Sequence, residues 1–165
     1  MVKYLVHPII LLIIIFTYGC KNIDPPLTKY KPLNKQVFID VVEKKTIIVN
    51  FTKSIYSEKT KKSIIHWLDK DIKTNGYEGY LEIRILDIIT NENIIENGLM
   101  INISAKIEFI IYNPILDSRK IILIKAEEYG QLTGNFTLND KSLEVDNIIK
   151  RLIENFSTKL SQEVS

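Results

Sequence analysis

The sequence predicts an α+β fold: a two-layer sandwich with two helices on one face of a mostly antiparallel sheet of four to five strands, in the order ββαβββα. Three stretches predict it. In residues 100–112, MINISAKIEFIIY, Ile101, Ile103, Ala105, Ile107, Phe109 and Ile111 fall on one side, and Asn102, Ser104, Lys106 and Glu108 on the other. That alternation marks an antiparallel strand with one core face and one wetter face. Residues 57–76 and 141–160 instead carry their apolar residues at helical spacing, and each stripe needs a surface to bury it.

The elements follow in order. QVFIDVVE (36–43) and TIIVNF (46–51) are rich in β-branched residues and read as strands. The short gap at Lys44-Lys45 makes them a hairpin or a bend within one long strand. In SEKTKKSIIHWLDKDIKTNG (57–76), Ser57 is the expected N-cap and Glu58 suits the first turn. Ile64, Ile65, Leu68 and Ile72 form the stripe, and Asn75-Gly76 is the expected stop. Lys59, Lys61, Lys62 and Lys70 belong to a solvated face. YLEIRILDII (80–89) sets Leu81, Ile83 and Ile85 against Glu82 and Arg84. Asn113-Pro114 opens a turn into a strand over 119–128, and Gly130 and Gly134 suggest a bulge or sharp twist. The last helix, about Lys141 to Leu160, is expected to bury Val145, Ile149, Leu152, Ile153, Phe156 and Leu160, with Asn139 or Asp140 as its cap.

The N-terminal region has a different character. Residues 9–22 read IILLIIIFTYGCKN, and the apolar run from Ile9 to Phe16 is preceded by Lys3 and Pro8. A spanning helix needs about 20 predominantly apolar residues, so this run is too short. A basic start, a short apolar stretch and a small residue at Gly19 are the parts of a cleaved signal peptide. Gly19-Cys20 resembles the lipobox of bacterial lipoproteins, although Thr17 and Tyr18 replace the usual residues before it. That resemblance implies a signal peptide over 1–19, cleavage between Gly19 and Cys20, and a diacylglycerol on the Cys20 thiol. Cys20 is the only cysteine of the chain, and lipidation explains a lone thiol in a secreted protein. Two acyl chains hold a protein to a bilayer far better than one. Lys21, where an Asp would favour inner-membrane retention, favours the outer membrane, with the domain facing the periplasm. Residues 20–35 then form a lipidated cysteine and a tether whose Pro25, Pro26 and Pro32 favour extended chain. Residues 36–165 form a single domain.

Charge and composition exclude several functions. The 22 Lys plus Arg nearly balance the 20 Asp plus Glu, which argues against a dedicated nucleic-acid binder. His66 is the only histidine after the signal peptide, too few for a His-rich zinc site, and its place beside Trp67 suggests half-buried packing rather than catalysis. Glu127 and Glu128 point to opposite sides of a strand and cannot act as a pair. No catalytic, metal-binding or cofactor-binding residue is expected, and an enzyme would have to work with carboxylates alone.

HWLDKDIKTNGYEGYLEIRILD, residues 66–87, resembles the helix with Trp, glycine turn and Asp-ended strand of small proteobacterial envelope lipoproteins. Among these are the auxiliary lipoproteins of ABC-type transporters and the lipoprotein of lipopolysaccharide assembly. The resemblance implies a small α+β domain and carries over no binding residue. The expected function is a non-catalytic, lipid-anchored adaptor or accessory subunit of an envelope transport or assembly complex, with structural helices and contacts at the sheet edges. The alternatives are a carrier or plug for lipid or lipopolysaccharide and a carboxylate-dependent envelope enzyme. The expected partners are the membrane, through Cys20, and an envelope protein complex, with a lipid as a further candidate ligand.

Overall fold

The computed structural model describes residues 36–49 and 54–164. The signal peptide, the Gly19–Cys20 cleavage, the acylation of Cys20 and the tether over 20–35 lie outside the described residues. In chain order the elements are β1 (Val37–Ile39), β2 (Glu43–Ile48), α1 (Ile55–Asp71), β3 (Ile72–Thr74), β4 (Tyr80–Ile95), β5 (Gly98–Asn113), β6 (Ser118–Thr133) and α2 (Leu138–Val164). The fold is α+β, as the sequence predicts. A four-stranded sheet has the order β2-β4-β5-β6, and β1 and β3 form a separate two-stranded sheet.

The alternation in β5 builds the sheet. Ile101, Ile103, Ala105, Ile107 and Phe109 are all buried. The antiparallel register puts Ile83 and Ile122 beside Phe109, and Ile85 and Ile124 beside Ile107, so apolar residues of three strands meet on one face. Both helices cover that face. α2 runs along β6, with Asn155 donating to Glu128 at 3.2 Å, and α1 lies beside α2, with Lys59 2.7 Å from Asp146. Between the layers Trp67 stacks on Phe156, centroids 6.0 Å apart at 27°.

The structure corrects several expectations. Of the two alternatives for β1 and β2, the bend is found and the hairpin is not, but it falls at 40–42, and Lys44-Lys45, expected as the gap, lie inside β2. The two halves pair in parallel with β3 and β4 respectively. The parallel pairing follows from α1, which carries the chain across between β2 and β4. The first helix ends at Asp71 rather than at Asn75-Gly76. Lys44 Nζ donates to the carbonyls of Leu68 at 2.7 Å and Ile72 at 2.9 Å, closing the helix end. Ile72–Thr74 then extends as β3, a strand the sequence reading did not include. Burial pushes the Lys44 ammonium below its ordinary pKa. The N-cap is Ser54, not Ser57. Ser57 fills the third helical position and completes a capping box, its amide donating to Ser54 Oγ at 3.1 Å and its Oγ accepting from Ser54 N–H at 2.8 Å.

The second helix shows the same shift. Thr137 and Asp140 exchange bonds across its first turn: Asp140 N–H donates to Thr137 Oγ1 at 3.2 Å and Thr137 N–H to Asp140 Oδ2 at 2.8 Å. Asp140 therefore supports the cap rather than forming it, and the helix continues to Val164. Gly130 is not a bulge. It pairs with Ile101 in an unbroken ladder, and a Cβ there would meet Glu144 Oε1 at 2.0 Å, so the glycine makes room for the α2 side chain. The register shift lies instead in β4, between Ile85 and Asp87.

Candidate functional site

With both helices on the core face, no described element packs on the other face of the four-stranded sheet. The register assigns its rows. Tyr80, Tyr112 and Arg119 lie across the first, Glu82, Ile110 and Ile121 across the second, and Arg84, Glu108 and Leu123 across the third. β2 adds Lys45 beside Glu82 and Ile47 beside Arg84.

This outer face is ordered by its own side chains. Arg84 bonds to Glu82 through Nε and reaches Glu108 Oε2 through Nη1 at 3.3 Å. The side-chain bond from Glu82, more than any other contact, pushes the guanidinium further above its ordinary pKa, so the charge is permanent. Tyr80 and Tyr112 pair at 5.2 Å and 38°. Asn102 Nδ2 donates to Glu127 Oε1 at 2.8 Å. Beside these polar rows Ile110 is buried, but Ile121 and Leu123 are each 53% exposed. Two large aliphatic side chains at alternate positions of one strand form the start of an apolar patch.

The two edges of the sheet differ from each other. At the β6 edge, Arg151 Nη2 of α2 donates to the Tyr129 carbonyl at 2.7 Å, and Lys159 Nζ donates to the Lys125 carbonyl at 2.8 Å. Covering an edge with a helix and its charged side chains blocks strand addition. At Lys125 and Tyr129 the carbonyls of this edge are therefore already bonded. A shallow hollow of about 270 Å³ beside it is lined by Leu123, Ile124, Lys125, Lys159, Gln162 and Glu163. At the opposite edge, β2 pairs with β4 only from Tyr80 to Ile85.

His66 is exposed rather than half-buried, whereas Trp67 and Ile64 are fully buried. On a helix with Ile64, Trp67 and Leu68 turned inward, position 66 falls on the outer side. Glu127 and Glu128 do separate as predicted: Glu127 bonds to Asn102 on the outer face, while Glu128 meets Asn155 and Arg151 of α2. Among the described residues no group of three or more His, Cys, Asp or Glu could hold a metal ion, and no helix is long and apolar enough to cross a membrane. The outer face was partly legible in the wetter residues of β5; the exposed Ile121 and Leu123 were not, because β6 is apolar on both sides at IILI.

No family model matches the chain, and no curated protein matches it. Solved structures of similar arrangement include a minor lipoprotein from Acinetobacter baumannii, at 8% identity and a TM-score of 0.38, covering 75% of this chain and 92% of that one. A neuraminyllactose-binding hemagglutinin homolog from Helicobacter pylori aligns at 15% identity and a TM-score of 0.46, covering 86% and 89%. A hypothetical protein from Chlamydia trachomatis aligns at 10% identity and a TM-score of 0.46, covering 76% and 98%.

Proposed function

We propose that the chain is a non-catalytic, lipid-anchored protein of the bacterial envelope, an adaptor whose outer sheet face docks onto a protein complex there. The observation that carries this reading is the outer face itself: four paired strands, an internal ion network and exposed Ile121 and Leu123, with both helices committed to the opposite side. A face ordered by its own ion pairs, with exposed aliphatic side chains along its β6 border, offers an apolar contact to a folded partner. The space between helices and sheet is filled by Trp67, Phe109, Phe156 and branched aliphatic residues, all fully buried, which favours an adaptor over a carrier that stores acyl chains there.

Mild crosslinking in intact cells followed by purification tests the proposal. Replacing Ile121 and Leu123 together by Glu should remove the crosslinked partner while leaving the abundance of the chain unchanged. A partner retained at full yield would overturn the assignment of this face. Tightly held lipid in the purified protein would favour the carrier instead.

A further inference from the structure

One end of the domain displays apolar residues that the proposed protein contact does not use. The turn between β5 and β6 carries Ile115 and Leu116, 72% and 71% exposed, and the neighbouring loop before β4 carries Tyr77, 96% exposed. The two loops touch. A Cβ on Gly79, which has φ +79°, would meet the Tyr112 carbonyl oxygen at 2.3 Å and Pro114 Cδ at 3.5 Å. Only glycine permits so close an approach in that left-handed conformation.

The turn is held in shape. Asn113 Oδ1 accepts from the Ile115 and Leu116 amides at 3.0 and 3.2 Å, and the Tyr112 hydroxyl donates to Asp117 at 3.4 Å. Ile115 and Leu116 are thus presented to solvent by a preformed Asx turn.

The described chain also begins at this end. Asn75 N–H donates to the Ile39 carbonyl at 3.2 Å and Gly76 N–H to the Val41 carbonyl at 3.1 Å, so residues 36–41 lie beside the loop that carries Tyr77. The other end, at Glu96-Asn97, is the length of β4 away, about 50 Å for an extended strand of that length. Between Cys20 and Gln36 stand residues 21–35, which reach at most about 50 Å when fully extended.

We infer that this end docks on the lipid surface, with Ile115 and Leu116 entering the interfacial region and Tyr77 lying at the headgroups. The inference rests on the lipid-anchor reading of Cys20, which brings this end within reach of the bilayer. Tyrosine is enriched at membrane interfaces because its ring is apolar and its tip polar. Arg119 follows the turn and is exposed, placed to meet a phosphate group, while Lys120 bonds to the Glu163 carbonyl of α2. Glu78 and Asp117 offset the Arg119 charge, so the apolar side chains supply the main attraction.

The test uses the full lipidated chain in vesicles of phosphatidylethanolamine and phosphatidylglycerol. An environment-sensitive fluorophore is attached at Leu116→Cys in one sample and at Asn97→Cys, at the far end, in another. Brominated phospholipids should quench the Leu116 probe strongly and leave the Asn97 probe nearly unchanged. Adding Ile115→Asp and Tyr77→Asp should abolish the quenching at 116. Equal quenching at both positions, or none at 116, overturns the inference. A blue shift at 116 without bromide quenching also overturns it and assigns the end to a protein contact. Fatty-acid labelling is read on the same samples. Label at Cys20 with an unquenched probe leaves the anchor standing and defeats the docking. Quenching without label supports the docking and defeats the anchor.

Discussion

Phe156→Ala is the sharpest test of the two-layer packing. Phe156 is fully buried between the layers, one helical turn from Leu152 and Leu160, which are also fully buried. Its ring stacks on Trp67 at 6.0 Å. Truncating a buried Phe to Ala costs about 3–5 kcal/mol, as lost transfer energy plus the cavity left behind. An aromatic pair contributes roughly 0.5–1.5 kcal/mol of such a loss. A cavity walled by a rigid indole on one side and the sheet on the other collapses poorly, so the upper half of that range is expected. A domain has only about 5–15 kcal/mol in total. For a chain of this size the melting temperature should fall by roughly 10–20 °C. Thermal unfolding of the unlipidated chain from Lys21, with and without the substitution, measures it. An unchanged melting temperature would refute the packing and make the α2 stripe an interaction surface. The partner ring gives a control. The Trp67 indole N–H is buried without a hydrogen-bond partner among the described residues, and such an orphan donor costs about 1–3 kcal/mol. Trp67→Phe removes that donor while losing some volume, so its net effect should stay under about 1.5 kcal/mol. A loss as large as that of Phe156→Ala would show that the donor is satisfied.

Three further outcomes are expected. Cys20→Ser should abolish fatty-acid labelling in cells; label that survives the substitution would refute the anchor. His66→Gln changes an exposed position and should leave stability within about 0.5 kcal/mol and function intact; an abundant but inactive His66→Gln protein would favour an enzyme over an adaptor. The bonds from Thr137 hold the Asp140 carboxyl below its ordinary pKa of 3.8, so its contribution to stability is present above that value and is lost as pH falls through the lower folded-state pKa. Asp140→Asn should therefore weaken the protein at neutral pH by an amount that shrinks in acid, read as converging unfolding midpoints; a constant gap would exclude the ionised cap.

The sheet was legible because β5 alternates from Ile101 to Phe109 and is an inner strand, so Ala105, Ile107 and Phe109 met apolar neighbours on both sides. The same local rules misplaced the ends. Ser57 looked like a cap because it precedes Glu58, but Ser54 takes the role through a box closed by a second serine. Asn75-Gly76 looked like a helix stop. The actual stop involves Lys44, distant in sequence, binding the carbonyls of Leu68 in α1 and Ile72 in β3, and no local pattern reveals such a contact. β4 outruns its hydrophobic stretch because β5 continues to pair with Asn91–Ile95; backbone pairing sustains polar residues that propensity would release. Of the candidate contact surface, the polar side was readable from β5 and the apolar side was hidden in β6, where Ile121–Ile124 gives no alternation.

The division of basic residues in α2 bears on how a partner could bind. Arg151 and Lys159 are a little over two turns apart on one helix, and both spend a donor on β6 carbonyls. A partner strand adding at β6 would have to displace both charge-assisted bonds, each stronger than the neutral backbone bond replacing it. A partner on the outer face would displace nothing of that kind. It would meet Arg84 already paired with Glu82 and Glu108, so the guanidinium itself needs no counter-charge from the partner. Burying Ile121 and Leu123 would then contribute hydrophobic energy without stranding a charge. On the proposed adaptor reading the two features would act together: the α2 bonds would disfavour strand addition at β6, and the outer face would be recognised by its shape. On this argument Arg151→Ala and Lys159→Ala together should increase self-association through β6 while leaving the crosslinked partner in place. Loss of the partner with no rise in self-association would mean that α2, rather than the sheet face, carries the contact.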